Sequence, residues 1–305
     1  SDEATNQLCR NAWSGSDSNG VRFIVHDPDE EAELCLVGVT KRGEPLRVNR
    51  AVFDADVVLP IGCARLNGCG AFESLFPRFS DAAAIQRYRM PTSIESDSEH
   101  ENWLSETDEA GWLIGVPMVV DVVPGVGGSV ASVLAGEPKA VRRESLKLLK
   151  ERWSLESPRP VSLMIATVTG GVESQNWTSV GRALATAERL VSAGGAVAIC
   201  TNLSERPGHS LGRLTGNPDL EAAERKIWRD HDADSWPAWQ LARALQRGPV
   251  YFLSQLDAET VEDLGLAPVY DIDELVRLAA RHESFVVVED SQNAVVKLAE
   301  RGDEF

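Results

Sequence analysis

The 305-residue sequence has few cysteines, no long apolar run and fewer basic than acidic residues, and each of these shortages excludes a class of protein. Five cysteines are too few and too scattered for a disulfide framework, and their odd number favours a reducing compartment over secretion. The 30 lysines and arginines face 47 aspartates and glutamates, so the net charge of −17 opposes binding to nucleic acid or to an anionic membrane. No window approaches the roughly 20 apolar residues of a membrane span. We therefore predict a cytoplasmic protein without nucleic-acid or membrane partners.

Familiar metal-binding motifs are also missing. Cys63 and Cys69 are not spaced as a C-x-x-C pair, and no second pair exists to complete a tetrahedral zinc site. The five histidines form no H-x-x-x-H pair of the kind that binds zinc from one helix face. From the residues alone we therefore predict no metal ligands.

The first half of the chain has a strand-rich pattern. Short apolar runs rich in β-branched residues alternate there with turns. Between two of these runs, the acidic stretch 91–109 lacks periodicity, which predicts a solvated loop or a short surface helix. The predicted strands are 21–26, 34–40, 45–49, 56–61, 112–123 and 129–134.

From residue 160 onward, apolar strands alternate with helices, which is typical of βαβ units in a doubly wound parallel sheet. A helix over 139–153, stopped by Ser-Pro-Arg-Pro, predicts a linker over 137–159. We therefore predict an α/β protein of two domains, with a strand-rich α/β part over 1–136 and a doubly wound α/β domain over 160–305. The predicted strands of the second part are 161–168, 195–201, 250–254 and 284–288, and the helices are 176–192, 218–229, 237–247, 258–264 and 272–281.

Doubly wound sheets bind ligands outside the carboxyl ends of their strands, which directs attention to the loop after Thr167. Gly170 and Gly171 in this loop permit close backbone approach to an anionic substrate. The alternative is an ordinary strand-to-helix turn, because no complete phosphate-binding glycine motif is present. The run 125–128, Gly-Val-Gly-Gly, lies between two predicted strands and indicates a hairpin turn.

The order of motifs resembles a known family. From residue 26 the chain reads HDPDEEAELCLVGVTKRGEPLRVNRAVFDADVVLPIG. The stretch resembles the nickel-pincer lactate racemases, in which an H-D pair, a G-x-T-x-x-G-x-P/V-x-V-N stretch and an A-D-x-V strand follow in this order. The similarity extends over nearly the whole chain, through Ala110-Gly111, the VLAGEP run over 133–138, Gly170-Gly171, Gln175-Asn176, Gly194-Gly195, Trp236 and 242–245.

The resemblance implies a two-domain α/β protein that holds a nickel-pincer nucleotide and acts on a small anionic 2-hydroxy acid. In that family the metal and its ligand accept and return a hydride at the carbinol carbon, and histidines exchange the hydroxyl proton. The family's first segment, which ends near a Gly-Thr-His-Arg-Pro motif, has no counterpart here. We therefore expect the chain to be a fragment, a processed subunit or a sequence recorded only where it was ordered.

The sequence departs from the family where the cofactor would bind. Asn67 stands at the position of a metal-site histidine, and no lysine that could tether the cofactor occurs between Lys41 and Lys139. Tyr88-Arg89 replaces an Asn-His pair, and arginine cannot act as a general base at neutral pH. By resemblance, the cofactor side of the site would comprise Asn67, Gly70 and Phe72.

In the second half, Arg182 keeps the family's cation, Ser179 replaces a glutamine and Trp236 is retained. We predict a carboxylate-binding corner formed by Arg89, Arg182 and Trp236, since arginine binds carboxylates through two parallel hydrogen bonds. The predicted substrate loop comprises Gly170, Gly171, Gln175 and Ser179.

Three functions are consistent with these residues. The first is a divergent lactate-racemase-like protein that binds and racemises or epimerises a small 2-hydroxy acid. The second is a non-catalytic binding or assembly protein on the same scaffold, since the tether lysine and the histidines are replaced. The third is a different enzyme that uses the same crevice with another cofactor, supported locally only by the Thr169-Gly-Gly loop.

Overall fold

The computed structural model describes residues 22, 24–66, 70–91 and 97–298. Its first half contains an antiparallel pair of strands, β1 with β2, and a three-stranded sheet in which β4 lies between parallel β3 and antiparallel β5. The elements of this half are β1 (Leu34–Val39), β2 (Pro45–Asn49), α1 (Arg50–Phe53), β3 (Ile61–Cys63), α2 (Ala82–Arg87), α3 (Asp97–Ile114), β4 (Val119–Pro124), β5 (Val130–Gly136) and α4 (Pro138–Trp153).

Helix α4 coincides with the helix predicted as a linker, and it covers one face of the three-stranded sheet. Its residues Leu149 and Trp153 are buried against Val123 of β4. Deeper in the same layer, the fully buried Asp121 of β4 accepts a hydrogen bond from the Ser145 hydroxyl at 2.9 Å. The helix is therefore part of the core of the first half. The predicted domain boundaries stay a prediction.

Helix α3 corrects the expectation of a solvated loop or short surface helix over 91–109. It is 18 residues long, and its residues Trp103 and Glu106 are buried. Tyr88 stacks on the Trp103 ring and donates its hydroxyl to the Glu106 carboxylate, which also accepts from Arg87 Nη2 at 3.2 Å. Burial and this bond raise the pKa of Tyr88. The acidic composition misled the prediction because this inward carboxylate has cationic and hydroxyl partners.

The second half is built on a five-stranded parallel sheet with the order β10-β9-β8-β7-β11. Residues Met164 and Ala166 of β7 pack on one face, and Leu163 and Ile165 pack on the other, each in its own apolar cluster with helices. The predicted doubly wound α/β fold is confirmed. The elements are β6 (Ser154–Ser157), β7 (Val161–Thr167), α5 (Trp177–Leu190), β8 (Val191–Cys200), α6 (His209–Gly212), α7 (Leu220–Ile227), α8 (Ser235–Arg247), β9 (Val250–Leu253), α9 (Ala258–Asp263), β10 (Ala267–Pro268), α10 (Ile272–Ala279), β11 (Phe285–Val288) and β12 (Val295–Leu298).

Three predicted strands of the first half are misplaced. The run 112–123 begins inside helix α3 and gives a strand only from Val119. The described residues of 21–26 are not in a strand, and the run 56–61 gives a strand only from Ile61. Pro60 lacks a backbone N–H, and Val57 and Leu59 before it are exposed. At the other end of the chain, β12 pairs in parallel with β6, which is the strand that directly follows α4.

The strand order places a switch point between β7 and β11, because the chain runs from β7 outward to β10 and then returns to the other side of β7. The loops that follow these two strands begin at Val168 and Glu289. A ligand crevice is expected at such a point. No helix among the described residues is long and apolar enough to span a membrane.

Two glycine loops bring the halves of the chain together at this crevice. The predicted hairpin turn over 125–128 connects β4 to β5, and Gly128 lies so close to Gly170 that a Cβ on Gly128 would be 2.8 Å from the Gly170 Cα. Gly128 also has a φ of +78°, which disfavours side chains. The contact between these loops therefore requires glycine at residue 128.

Replacing Gly128 by alanine tests this packing. We expect the free energy of unfolding in urea to fall by about 2 kcal/mol, from left-handed strain together with the clash against Gly170. The matched control is Gly127→Ala, since Gly127 is also left-handed at φ +66° but has nothing within 4 Å of the position of a Cβ. It should lose only about 1 kcal/mol. Equal losses in the two variants would contradict the close approach.

Candidate anion site in the central cleft

Helix α5 lies beside the switch point at which the crevice is expected. Asn176 caps the helix by accepting the Ser179 N–H at 2.9 Å. Arg182 and Thr186 are one turn apart and share a helix face. The Thr186 hydroxyl reaches the carbonyl oxygens of Ser291 at 3.2 Å and Ala294 at 2.8 Å. Arg182 is therefore placed beside the loop that follows β11, at the switch point of the sheet.

The guanidinium of Arg182 is half-buried and has no hydrogen-bond or salt-bridge partner within the described part of the chain. Burial lowers the pKa of Arg182 to about 10, and the nearby cation of Arg65 acts in the same direction. Arg78 adds to this effect, whereas Glu73 opposes it. A charge that is partly removed from water without a partner is costly, so this side chain has unused capacity to bind an anion.

The first half of the chain also contacts the loop after β11. Arg65 follows β3, and its Nη1 atom donates to the carbonyl of Ala64 and to Asn293 Oδ1 in the loop after β11, both at 3.4 Å. Glu73 lies in the 3₁₀ turn Gly70–Ser74 and forms a salt bridge with the exposed Arg78 at 3.3 Å. Arg65 and Arg182 therefore approach the same loop from the two halves of the chain.

Asp121 of β4 anchors the 3₁₀ turn Gly70–Ser74 to the three-stranded sheet through a hydrogen bond. Its buried carboxylate accepts hydrogen bonds from the Ser145 hydroxyl and from the Ala71 backbone N–H. Burial raises the pKa of Asp121, and these two bonds oppose that rise. The position of Glu73 in the cleft therefore depends on a buried carboxylate in the sheet.

The structure brings Trp236 and Arg89 to the start of α8, next to α5. A Cβ on Gly181 would lie 2.9 Å from the Trp236 ring, so this ring packs directly on the turn of α5 that carries Arg182. The Ser235 hydroxyl donates to the Arg89 carbonyl at 3.0 Å, which joins Arg89 to the same place through its backbone. Of the predicted corner, Trp236 therefore packs beside the turn that carries Arg182, whereas Arg89 is exposed and is placed there only by its backbone carbonyl. Its role in binding stays a prediction.

The predicted substrate loop lies beside the switch point, where Gln175 is fixed by hydrogen bonds. The Gln175 amide donates to the carbonyls of Val168 at 3.2 Å and Gly170 at 3.4 Å. Its oxygen accepts from the Thr201 hydroxyl at 2.7 Å and from the Asn202 N–H at 2.8 Å. Gln175 therefore joins the loops after β7 and β8. The other predicted residues of this loop lie nearby. Ser179 is buried at the start of α5, and Gly170, which Gly171 follows, packs against Gly128.

Two of the residues predicted for the cofactor side, Gly70 and Phe72, lie in the 3₁₀ turn Gly70–Ser74. Phe72 packs on helix α3, where a Cβ on Gly111 would lie 2.5 Å from the phenyl ring. Gly70 begins the 3₁₀ turn. Asn67 lies outside the described residues.

Sequence reasoning missed Asp290, which is fully buried and has a φ of +52°. Its carboxylate accepts the Gly127 N–H at 2.8 Å and also the Thr169 hydroxyl, so it links the loops of the two halves. The available signal was its place just beyond the buried strand β11, at the switch point. Beside it, Thr167 Oγ1 and Gln292 Oε1 are buried without a hydrogen-bond partner in the described structure.

The described residues of the cleft do not fit the nickel-pincer nucleotide. Within the described ranges, no group of three or more histidine, cysteine, aspartate or glutamate side chains is arranged to hold a metal ion. His26 is occupied elsewhere, donating from Nε2 to the Ser80 carbonyl at 2.7 Å. The 3₁₀ turn Gly70–Ser74 ends in Glu73 and Ser74 and contains no lysine that could tether the cofactor. No lysine occurs anywhere between Lys41 and Lys139. We therefore derive no reaction step through that cofactor.

No family model matches this sequence. A search of curated proteins finds the lactate racemase of Thermoanaerobacterium thermosaccharolyticum, 20% identical over 279 residues, which are 85% of this chain and 64% of the relative. The chain thus spans less than two thirds of that relative's length.

Solved structures give the same relationship. The lactate racemase apoprotein from that organism superposes with a TM-score of 0.82 at 19% identity, covering 95% of this chain and 75% of the other. A crystal structure of a protein from Thermotoga maritima gives a TM-score of 0.69 at 12% identity, covering 96% and 82%. The resemblance to lactate racemase is confirmed in sequence, and the fold is shared with its apoprotein.

Replacing Arg182 by methionine tests the electrostatic cost of this arginine. The substitution keeps an extended apolar side chain and removes a poorly solvated charge, so we expect the free energy of unfolding without ligand to rise by about 1 kcal/mol. Arg189→Met, on the exposed end of the same helix, should change it by less than about 0.5 kcal/mol. Urea unfolding at neutral pH measures both. A clear loss of stability in Arg182→Met would show that the guanidinium is already satisfied.

Proposed function

We propose that this chain is a divergent lactate-racemase-like protein that binds a small 2-hydroxy acid in the cleft, with the carboxylate of the ligand on Arg182. The observation that carries the proposal is a half-buried guanidinium without a partner among the described residues. A carboxylate would supply the two acceptors that match the arginine fork. The curated relative is a lactate racemase, which supports the substrate class.

The surroundings of Arg182 would orient the acid. Trp236 packs on Gly181 and provides an aromatic wall beside the guanidinium. Thr167 Oγ1 and Gln292 Oε1 are buried polar atoms without a hydrogen-bond partner in the described structure, and both belong to residues at the switch point. A hydroxyl group both donates and accepts, so the 2-hydroxyl of a ligand suits such atoms.

Non-catalytic binding on the same scaffold is the second candidate, and the charged side chains around Arg182 favour it over racemisation. The groups whose charges act on Arg182 are Arg65, Glu73, Arg78 and Cys63. Arginine stays protonated at neutral pH and does not accept a proton from a hydroxyl group. This chain's own residues are therefore suited to binding and orienting an acid, and we assign none of them the transfer of the hydroxyl proton.

Isothermal titration with lactate tests the binding function. Arg182→Gln should weaken binding by about tenfold or more, because a charge-assisted pair contributes about 1.5–3 kcal/mol. Arg189→Gln, the same change on an exposed arginine of the same helix, should leave the affinity unchanged. Equal affinities in the wild type and Arg182→Gln would contradict the proposal.

The lowered pKa of Arg182 predicts a loss of binding at high pH. An ordinary arginine has a much higher pKa and stays charged throughout this range, whereas the pKa of Arg182 is lowered to about 10, so Arg182 loses its proton as the pH rises through that value. Lactate affinity should be constant up to about pH 9 and then fall about tenfold per pH unit above about pH 10. Circular dichroism at each pH would verify that the fold persists. Constant affinity up to about pH 11 would contradict this prediction.

Metal analysis distinguishes binding alone from nickel-dependent racemisation. In protein made by cells that synthesise the nickel-pincer nucleotide, we expect no stoichiometric nickel, because the cleft lacks a fitting donor set within the described residues. The purified chain should also leave the enantiomeric ratio of lactate unchanged. Stoichiometric nickel together with racemisation would overturn the assignment of binding without catalysis.

A further inference from the structure

We propose that the preferred ligand of the cleft is a 2-hydroxy dicarboxylate, with one carboxylate on Arg182 and the other on Arg65. This inference rests on the proposed binding function and narrows its substrate class. Its basis is the presence of two half-buried guanidinium groups, one from each half of the chain, beside a single loop.

The geometry places both arginines beside the loop over 291–294. Arg65 Nη1 lies 3.4 Å from Asn293 Oδ1. Arg182 is one helical turn from Thr186, whose hydroxyl contacts the carbonyls of Ser291 and Ala294 in the same loop. The two cations are close enough for Arg65 to disfavour the charged form of Arg182.

The charges of the cleft are unbalanced in the described part of the chain. Glu73 forms a salt bridge with Arg78, which is largely exposed. Neither Arg65 nor Arg182 has a carboxylate partner among the described residues. A ligand with one carboxylate would compensate the charge of only one of these arginines. A ligand with two carboxylates would compensate both charges.

Asn293 is informative because it contacts Arg65 with a neutral amide. A neutral oxygen satisfies one N–H of the guanidinium and leaves its charge uncompensated. An aspartate at this position would supply a carboxylate of nearly the same shape. The chain thus offers a substitution that neutralises Arg65 without removing it.

Isothermal titration with L-malate, L-lactate and inorganic phosphate tests the inference. We expect malate to bind the wild-type chain about tenfold more tightly than lactate, since it makes one additional charge-assisted pair. In Arg65→Gln this preference should be lost, while lactate affinity stays within about twofold of wild type. Arg50→Gln, on an exposed arginine of α1, is the matched control and should keep the preference.

Asn293→Asp provides a second route that retains Arg65 and its packing. It should also remove the preference for malate, because the new carboxylate occupies Arg65. Thermal unfolding identifies any variant that fails to fold. If Arg65→Gln does not fold, the malate preference measured for Asn293→Asp decides the test.

The outcomes separate this inference from the function on which it rests. Binding of lactate as tightly as malate would refute the dicarboxylate preference and leave the binding function intact. A preference that persists in Asn293→Asp would also refute the role of Arg65. Tighter binding of phosphate than of malate would show that the site prefers a compact dianion instead. Absence of binding by all three anions would overturn the proposed function and this inference together.

Discussion

The buried carboxylate of Asp290 connects the two halves of the chain, and the shape of the cleft depends on it. It accepts the Gly127 N–H from the hairpin between β4 and β5 and the Thr169 hydroxyl from the loop after β7. The approach of Gly128 to Gly170 beside it requires the absence of side chains. Because these loops are fixed at the switch point, Arg65 and the helix that carries Arg182 both contact the loop after β11.

This arrangement keeps like charges close together at a cost to the empty protein. Partial burial of Arg182 next to Arg65 disfavours its charged form, as its lowered pKa shows. A chain under selection for stability alone would replace such a residue, since removal of an uncompensated buried charge is stabilising. Perturbed charges of this kind concentrate at functional sites, and here the imbalance is the main argument for an anionic ligand.

The sequence predicted the fold well where local patterns and tertiary structure agree. The alternation of strands and helices after residue 160 identified the doubly wound sheet, and the helix over 139–153 lies within α4. The environment of α3 was missed because its acidic composition concealed the inward position of Glu106 beside Arg87 and Tyr88. Arg65 and Asp290 were missed as site residues because their importance comes from contacts across more than 160 residues of sequence. Arg182 was identified through the family resemblance. That its guanidinium has no partner among the described residues is evident only from the three-dimensional structure.

The central claim is that the cleft binds a carboxylate on Arg182. A crystal structure of the 305-residue chain grown with L-malate tests it most directly. The account predicts one carboxylate in a two-pronged contact with the Arg182 guanidinium and the other within hydrogen-bond distance of Arg65. Malate bound elsewhere, or a cleft that contains only water at saturating malate, would contradict it.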